Sequence, residues 1–202
     1  MRDTVYFLVF DGFADWQAAL ALCEVRRPGD WQVATVGFTR APVRSMGGLL
    51  VQPELSLVEL EFARAALVIV PGGHLWQRGE GAAAVAAIRQ LHGAGAVAAG
   101  IDSGVLALAR VGLLDGCRHT GNWAGHIDAQ VSGYAGGAHY DAASLAVSDG
   151  ATITASHLGQ VEFAREVIRT LDLYAPGDRE HWYRLFKHAQ LPPGCVGAAA
   201  AA

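Results

Sequence analysis

Four short apolar segments alternate with helical patterns in the first half of the chain, and this alternation constrains the fold more than any other feature. The apolar segments cover residues 5–10, 31–37, 66–70 and 96–101, and each is bounded by Gly, Pro or Asp. Residues 15–26, 81–92 and 105–111 carry apolar side chains at helical spacing. Strands that alternate with helices form parallel sheets, because each helix returns the chain to the edge where the next strand starts. We therefore predict an α/β three-layer sandwich with a mostly parallel central sheet and helices on both faces.

The remaining segments add two hairpins and two helices to this pattern. Residues 43–57 ("VRSMGGLLVQPELSL") predict a small β-hairpin excursion, and "AVSDGATITAS" predicts another with a type I′ turn at Asp149 and Gly150. Helices are predicted at 160–173, with Glu162 and Glu166 facing solvent, and at 178–188 with a buried Phe186. We expect one domain over residues 1–190 and a frayed tail over 191–202.

Size and charge narrow the classes of partner. A chain of 202 residues fits one domain with a sizeable core. Its net charge of −4 and lack of a Lys/Arg cluster argue against nucleic acid and anionic membranes as partners. The first apolar run is too short for a signal peptide, and no run approaches the ~20 residues of a membrane span. Three cysteines without a C-x-x-C pair suit reduced thiols, so a cytoplasmic protein is expected.

The segment "GIDSG" predicts an exposed side chain at a sharp strand-to-helix turn. Gly100 and Gly104 flank Asp102 by two residues on each side, as in a nucleophile elbow. Local sequence also allows the simpler role of a helix N-cap for Asp102, since aspartate is a preferred capping residue. Ligands of open parallel sheets lie beyond the carboxyl ends of the strands, so residues 11–17, 71–76 and 102–104 are expected to line one crevice.

Several motifs together resemble one known family. The segments "VFDGFADWQAALAL", "VPGGHLW", "GIDSGVLALARVGLLDG", "RHTGNW" and "VEFAREVI" occur in the order and spacing of the ThiJ/PfpI superfamily, which has the class I glutamine amidotransferase-like fold. The resemblance spans residues 5–173. Within the superfamily the chain is similar to a small bacterial branch with "HTGN" after the elbow helix. Its members are described as intracellular proteases, deglycases, glyoxalases and isocyanide hydratases. The resemblance implies this fold and a homodimer, but not one reaction.

The chain departs from that family at the elbow. The family's elbow cysteine falls on Asp102, and the acidic partner from the first helix falls on Gln17. The resemblance therefore implies an aspartate–amide pair, which keeps one anion and one neutral donor. Asp102 would act as a base, a water-orienting group or a carboxylate nucleophile, with Gln17 as its orienting partner. An engineered replacement of cysteine by Asp102 stays open as an alternative.

Further site candidates follow from position. The N–H groups of Gly73 and Ser103 are expected to bind an oxyanion, because glycines allow close approach of the backbone. His74, which follows the glycine pair, and Asn122, which stands where the family has a histidine, are expected to bind substrate. Trp123 is expected in an aromatic wall with Trp16 and Trp76. His119, His139 and His157 fall in segments that lie near the site in relatives, whereas Asp15 is interpreted as the cap of the first helix.

Metal and cofactor motifs are not predicted. Histidine pairs such as His119 and His126 are seven residues apart and supply two ligands at most, and no nucleotide-binding glycine motif occurs. Three functions remain, all with a small-molecule ligand. The first is hydration, hydrolysis or proton transfer on a small electrophile at Asp102. The second is a catalytically silent binding or sensing module, and the third is cysteine-type protease, deglycase or hydratase chemistry.

Overall fold

A seven-stranded sheet forms the centre of the molecule in the computed structural model, which describes residues 2–191. Its strand order is β5-β2-β1-β6-β7-β9-β8; every strand pairs in parallel except β8, which is antiparallel to β9. A separate two-stranded hairpin contains β3 and β4. The strands are β1 (Thr4–Leu8), β2 (Gln32–Gly37), β3 (Val43–Arg44), β4 (Leu50–Val51), β5 (Leu55–Ser56), β6 (Ala65–Val70), β7 (Val97–Ile101), β8 (Ala146–Asp149) and β9 (Thr152–Ala155).

Helices surround this sheet, as predicted from the alternating pattern. Helix α1 packs against α6, which also contacts α7, while α3 packs against α4. The helices are α1 (Asp15–Arg26), α2 (His74–Gln77), α3 (Ala82–Gly93), α4 (Gly104–Val111), α5 (His126–Gln130), α6 (Gln160–Thr170) and α7 (Pro176–His188), with 3₁₀ turns at Leu57–Glu59 and Gly136–His139. The predicted α/β class with a mostly parallel sheet is confirmed. Within residues 2–191, none of the helices has the length and apolar character needed to cross a membrane.

Both predicted hairpins exist, but each differs in detail. Residues 43–51 form the small hairpin, whereas β5 leaves it and extends the edge of the main sheet beside β2. In the second hairpin Asp149 pairs with Thr152, so the two loop residues are Gly150 and Ala151. Only Gly150 has a positive φ there, of 56°, and a type I′ turn needs two such residues. The prediction of a type I′ turn at Asp149 and Gly150 was therefore wrong.

Three side chains near the carboxyl end of the described chain are placed differently from the sequence prediction. Glu162 and Glu166 are buried rather than exposed. Their charges are compensated, because Lys187 bonds Glu162 at 2.8 Å and arginines of α6 bond Glu166. Phe186, predicted to be buried, is 44% exposed. Of the tail predicted over residues 191–202, only Leu191 belongs to the described residues. Residues 192–202, which include Cys195, lie outside them.

The loop after the second 3₁₀ turn is held by the Asp141 carboxylate. The Ser144 hydroxyl, the N–H groups of Ala143 and Ser144, and the Arg118 guanidinium all donate to it. These bonds, the Ser144 hydroxyl first, lower the pKa of Asp141 from 3.8 to about 2. The Thr120 hydroxyl lies between two carbonyl oxygens of this loop and donates to them, with Oγ1 2.8 Å from Asp141 O and 2.9 Å from Ser144 O. Asp141 thereby positions the segment that leads into the candidate site.

Replacing Asp141 with Asn is expected to cost about 1 kcal/mol of stability at pH 7, because most of its bonds are partly exposed to solvent. A carboxyl group whose pKa is lowered on folding stabilises the protein above its unfolded pKa, and that contribution is lost as pH falls through the folded value. The difference between wild type and Asp141→Asn should therefore shrink between about pH 4 and pH 2. Urea unfolding across this range measures it. A difference that stays constant with pH contradicts the role given to Asp141.

Candidate functional site

Asp102 lies at a sharp turn between β7 and α4. Its φ of 57° falls in the left-handed region, which is uncommon and strained for a residue other than glycine. Its N–H donates to the Ala155 carbonyl at 2.9 Å, and its own carbonyl accepts the Val105 N–H at 3.2 Å. These two bonds fix the turn from the neighbouring strand on one side and the helix on the other. The Asp102 side chain is left partly exposed at the tip.

Two side-chain amides hold the Asp102 carboxylate. Gln17 Nε2 donates to Oδ2 at 2.9 Å, and Asn122 Nδ2 donates to Oδ1 at 2.6 Å. The amide oxygens are themselves fixed, because the Gly72 N–H donates to Gln17 Oε1 at 2.7 Å and the His157 N–H donates to Asn122 Oδ1 at 2.9 Å. A backbone N–H only donates, so each amide must turn its NH₂ group toward Asp102. We call Gln17 and Asn122 the amide clamp; it suits an ionised carboxylate, which only accepts.

Gly72 is required for this arrangement. A Cβ at that position would lie 2.3 Å from Asp102 Oδ2 and 2.8 Å from Gln17 Oε1. Only a residue without a side chain lets the backbone reach Gln17 while the carboxylate lies beside it. The sequence analysis predicted that the glycine pair would bind an oxyanion. In the structure the N–H of Gly72, the first glycine of the pair, instead bonds Gln17 of the amide clamp.

The Gly73 N–H is not available as the predicted oxyanion donor. It donates to Ser103 Oγ at 2.8 Å, and the Ser103 hydroxyl in turn donates to the Gly73 carbonyl oxygen at 3.1 Å. Ser103 is buried, so its hydroxyl ties the start of α4 to the turn before α2 instead of facing a ligand. This corrects the expected role of the Gly73 N–H. Of the two predicted N–H donors, the Ser103 N–H at the helix start remains.

His74 and Trp76 differ in their exposure. His74 is exposed, and its Nδ1 lies 3.0 Å from Gln77 Oε1 on the surface of α2. Trp76 is fully buried, donates its Nε1–H to the Pro71 carbonyl at 2.8 Å and packs edge-on against Phe10. The prediction that Trp76 forms part of the wall is therefore wrong, whereas the role of His74 as a site residue stays a prediction. Trp76 is a core residue that supports the turn.

Trp123 and His126 form an aromatic pair beside the clamp. Trp123 follows Asn122 and is 58% exposed, and its ring lies 4.2 Å from the His126 ring, centroid to centroid. His126 is buried, and burial lowers its pKa while the charge of Asp102 acts in the opposite direction. Sequence reasoning considered His126 only as half of a metal pair. No local signal links it to the site, because Asn122 lies in the loop before α5 and His126 is the first residue of that helix.

The three other candidate histidines, His119, His139 and His157, occupy different environments. His119 is buried; its Nδ1 donates to the Cys117 carbonyl at 2.8 Å, so its Nε2 accepts the Tyr134 hydroxyl at 2.5 Å. Burial lowers the pKa of His119 and raises that of Tyr134 to about 12, which indicates a neutral core pair. His139 is exposed on a 3₁₀ turn. Only His157 meets the site, with Nδ1 3.1 Å from Asn122 Oδ1.

The described cysteines lie away from the elbow. The Cys117 thiol donates to the Leu113 carbonyl at 3.1 Å, and burial, with the charge of Asp149, raises its pKa. A raised pKa reduces the thiolate fraction that nucleophilic chemistry needs. Cys23 is exposed on α1. Asp15, interpreted as a helix cap, is instead the first residue of α1 after an Ala14 cap, and its carboxylate accepts the Ser45 hydroxyl at 2.7 Å.

The fold and the strand-to-helix elbow define a protein of the DJ-1/ThiJ/PfpI structural class. The chain matches the DJ-1/PfpI family model over residues 3–170, and it belongs to that family. It is 30% identical over 190 residues to "Uncharacterized protease YoaZ" of Bacillus subtilis (strain 168), which covers 91% of this chain and 90% of the relative. The predicted membership of the superfamily is thus confirmed.

Solved structures agree with this assignment. The DJ-1 superfamily protein Atu0886 from Agrobacterium tumefaciens has a TM-score of 0.85 at 29% identity, over 93% of this chain and 100% of the other. The thiJ/pfpI family protein from Bacillus anthracis has a TM-score of 0.87 at 29% identity, over 94% and 93%. Neither structure's name states a substrate, so the chemistry has to be argued from this chain's own residues.

Proposed function

We propose that this protein binds a small molecule at Asp102 without transforming it, as a binding or sensing member of the DJ-1/PfpI family. The observation that carries this proposal is the hydrogen bond from the Gly73 N–H to Ser103 Oγ at 2.8 Å. Hydrolysis through a tetrahedral intermediate needs donors preorganised toward the developing oxyanion, and removing one costs about 10²–10³ in rate. With the Gly73 N–H occupied, the Ser103 N–H is the remaining donor of the expected pair.

The amide clamp supports the same proposal. Both Asp102 oxygens accept side-chain amides, and neither Gln17 nor Asn122 can take up or release a proton at ordinary pH. A proton received by Asp102 would therefore have no titratable relay through the clamp. A rigid carboxylate of this kind is well suited to holding a ligand in one orientation.

One observation favours an enzyme as a second candidate. Backbone strain of the kind found at Asp102, with φ 57°, is concentrated at active sites and ligand clamps. In this alternative, Asp102 is a base in hydration or proton transfer, or a nucleophile toward an activated carbon, reactions that depend less on an oxyanion site. Cysteine-type chemistry has no comparable support, since the Cys117 thiol is committed to a backbone carbonyl.

Turnover assays on the Asp102→Asn variant separate the two candidates. We expect wild type and Asp102→Asn to hydrolyse p-nitrophenyl acetate, and to consume a small dicarbonyl or an isocyanide, at the same low rate. Binding of added metabolites, read by thermal shift, should nevertheless depend on Asp102. A conversion rate that falls about tenfold or more in Asp102→Asn would favour the enzyme and overturn the binding proposal.

The Ser103→Ala variant is the companion measurement. It frees the Gly73 N–H, so any weak hydrolysis that needs an oxyanion donor should rise rather than fall. If Ser103→Ala instead abolishes an activity present in wild type, the hydroxyl itself is part of a catalytic apparatus. The homodimer and the cytoplasmic location expected from the sequence remain predictions.

A further inference from the structure

We infer that the ligand of this site is a small organic ammonium ion, held between the Asp102 carboxylate and the exposed ring of Trp123. This inference rests on the proposed binding function and names the chemical class of its ligand. It follows from three features of the site: the Asp102 charge has no counterion, the Trp123 ring is an exposed aromatic surface, and the Gly73 N–H is already bonded to Ser103 Oγ.

The first feature is the charge of Asp102. Within residues 2–191, no Lys, Arg or His lies within ion-pair distance of this carboxylate. Its bonded neighbours, Gln17 and Asn122, are neutral, and the α4 N-terminus supplies only a partial positive charge. A partly buried anion with two neutral donors still gains from a full positive charge. A ligand cation would supply it.

The second feature is the ring of Trp123. Trp123 follows Asn122 in the chain, and its ring lies 4.2 Å from that of His126, centroid to centroid, while the residue stays 58% exposed. His126 in turn is close enough to Asp102 for the Asp102 charge to act on its pKa. An ammonium group over an indole face gains about two- to thirtyfold in affinity beyond simple contact. Two histidines contact this group of residues: His126 packs against Trp123, and His157 lies 3.1 Å from Asn122 Oδ1 through its Nδ1. Burial lowers the pKa of His126, so its ring is a neutral wall at neutral pH and does not supply the missing cation.

The third feature works against the opposite class of ligand. A carboxylate, phosphate or enolate needs N–H donors, and Ser103 Oγ already accepts the Gly73 N–H. An anion would also approach the negative charge of Asp102 directly. The Ser103 hydroxyl is therefore a positioning group that keeps the site selective for cations.

Choline and its uncharged isostere 3,3-dimethylbutan-1-ol test this inference, because they share shape and differ in charge. Calorimetry should show choline binding to the full chain about tenfold or more tightly than the alcohol. Asp102→Asn should weaken choline binding about tenfold or more, while Asp128→Asn, which removes an exposed acid of α5, should leave it unchanged. Thermal melts confirm that both variants are folded.

The aromatic contribution needs its own pair of variants. Trp123→Leu should weaken choline binding several-fold, and Trp123→Phe should retain most of it, because phenylalanine keeps an aromatic face. The inference is overturned if choline shows no binding at about 50 mM, a concentration that fills about half or more of the sites for any Kd of about 50 mM or tighter. Equal affinity for the alcohol, or no effect of Asp102→Asn, overturns it as well. If the alcohol binds in an Asp102-dependent way without conversion, the ligand class is wrong and the binding function stands; Asp102-dependent turnover in the preceding assays removes both.

Discussion

Replacing Gly104 with alanine is expected to lower the free energy of unfolding by about 3 kcal/mol or more. A Cβ at this position would lie 2.1 Å from the Val70 carbonyl oxygen and 2.9 Å from that of Pro71. Both are backbone atoms of the β6 end and the turn that follows it, so no side-chain rotation relieves the overlap. The first turn of α4 would have to move away from the sheet, and the packing of a close-packed core resists such a shift.

Gly93→Ala is the matched control, since Gly93 is also a helical glycine. A Cβ there meets nothing within 4 Å, so this substitution should be neutral or stabilise the protein by up to about 1 kcal/mol. Urea unfolding of both variants measures the difference. Equal effects of the two alanines would contradict the close approach of α4 to β6 that shapes the elbow.

Replacing Gln17 with Glu is expected to destabilise the protein by about 3 kcal/mol at pH 7. The side chain is buried, and its NH₂ group would be replaced by a second carboxylate oxygen facing Asp102 at about the 2.9 Å now spanned by a hydrogen bond. Two carboxylates this close cannot both ionise without strong repulsion, so the folded pair would retain one proton that the unfolded chain releases.

The sign of the pH dependence follows from that extra proton. Because the folded state binds more protons than the unfolded state, stability of Gln17→Glu should fall as pH rises and recover toward about pH 4. Gln90→Glu, at an exposed position of α3, should change stability by only a few tenths of a kcal/mol at either pH. Unfolding curves at pH 4 and pH 7 measure both. A Gln17→Glu variant as stable as wild type at pH 7 would show that the two side chains are not in contact.

The parts of the fold that sequence predicted well are those with local signals. Helix α1 begins and ends at the predicted residues, and α4 ends at Val111 with Gly112 as its C-cap, whose φ of 86° matches the predicted left-handed conformation. Two of the errors concern long-range partners. Strand β5 pairs with β2 rather than with the hairpin, and Glu162 is buried because Lys187, a residue of another helix, reaches it. Such pairings are set by tertiary contacts, which no local pattern records.

The candidate site shows the same division. The juxtaposition of Gln17 and Asp102 was predicted from the family resemblance, and the structure brings the two side chains to 2.9 Å. Nothing in the local sequence indicated that the Ser103 hydroxyl would accept the Gly73 N–H, because that bond joins segments 30 residues apart. The contact of Asn122 with substrate stays a prediction, and its bonds to Asp102 and to the His157 N–H were not foreseen. Side-chain rotamers and burial decided each of these outcomes.

The central claim is that an ionised Asp102 is held by two amide nitrogens, while the Gly73 N–H is bonded to Ser103 Oγ and is not available as an oxyanion donor. A crystal structure at better than about 1.2 Å resolution, with choline present, tests it most directly, since amide orientation and carboxyl bond lengths become measurable there. We expect equal C–O bond lengths in Asp102, the nitrogens of Gln17 and Asn122 facing it, and the Gly73 N–H on Ser103 Oγ. Unequal C–O bond lengths, an amide oxygen facing Asp102, or an anion bound to the Gly73 N–H would contradict it.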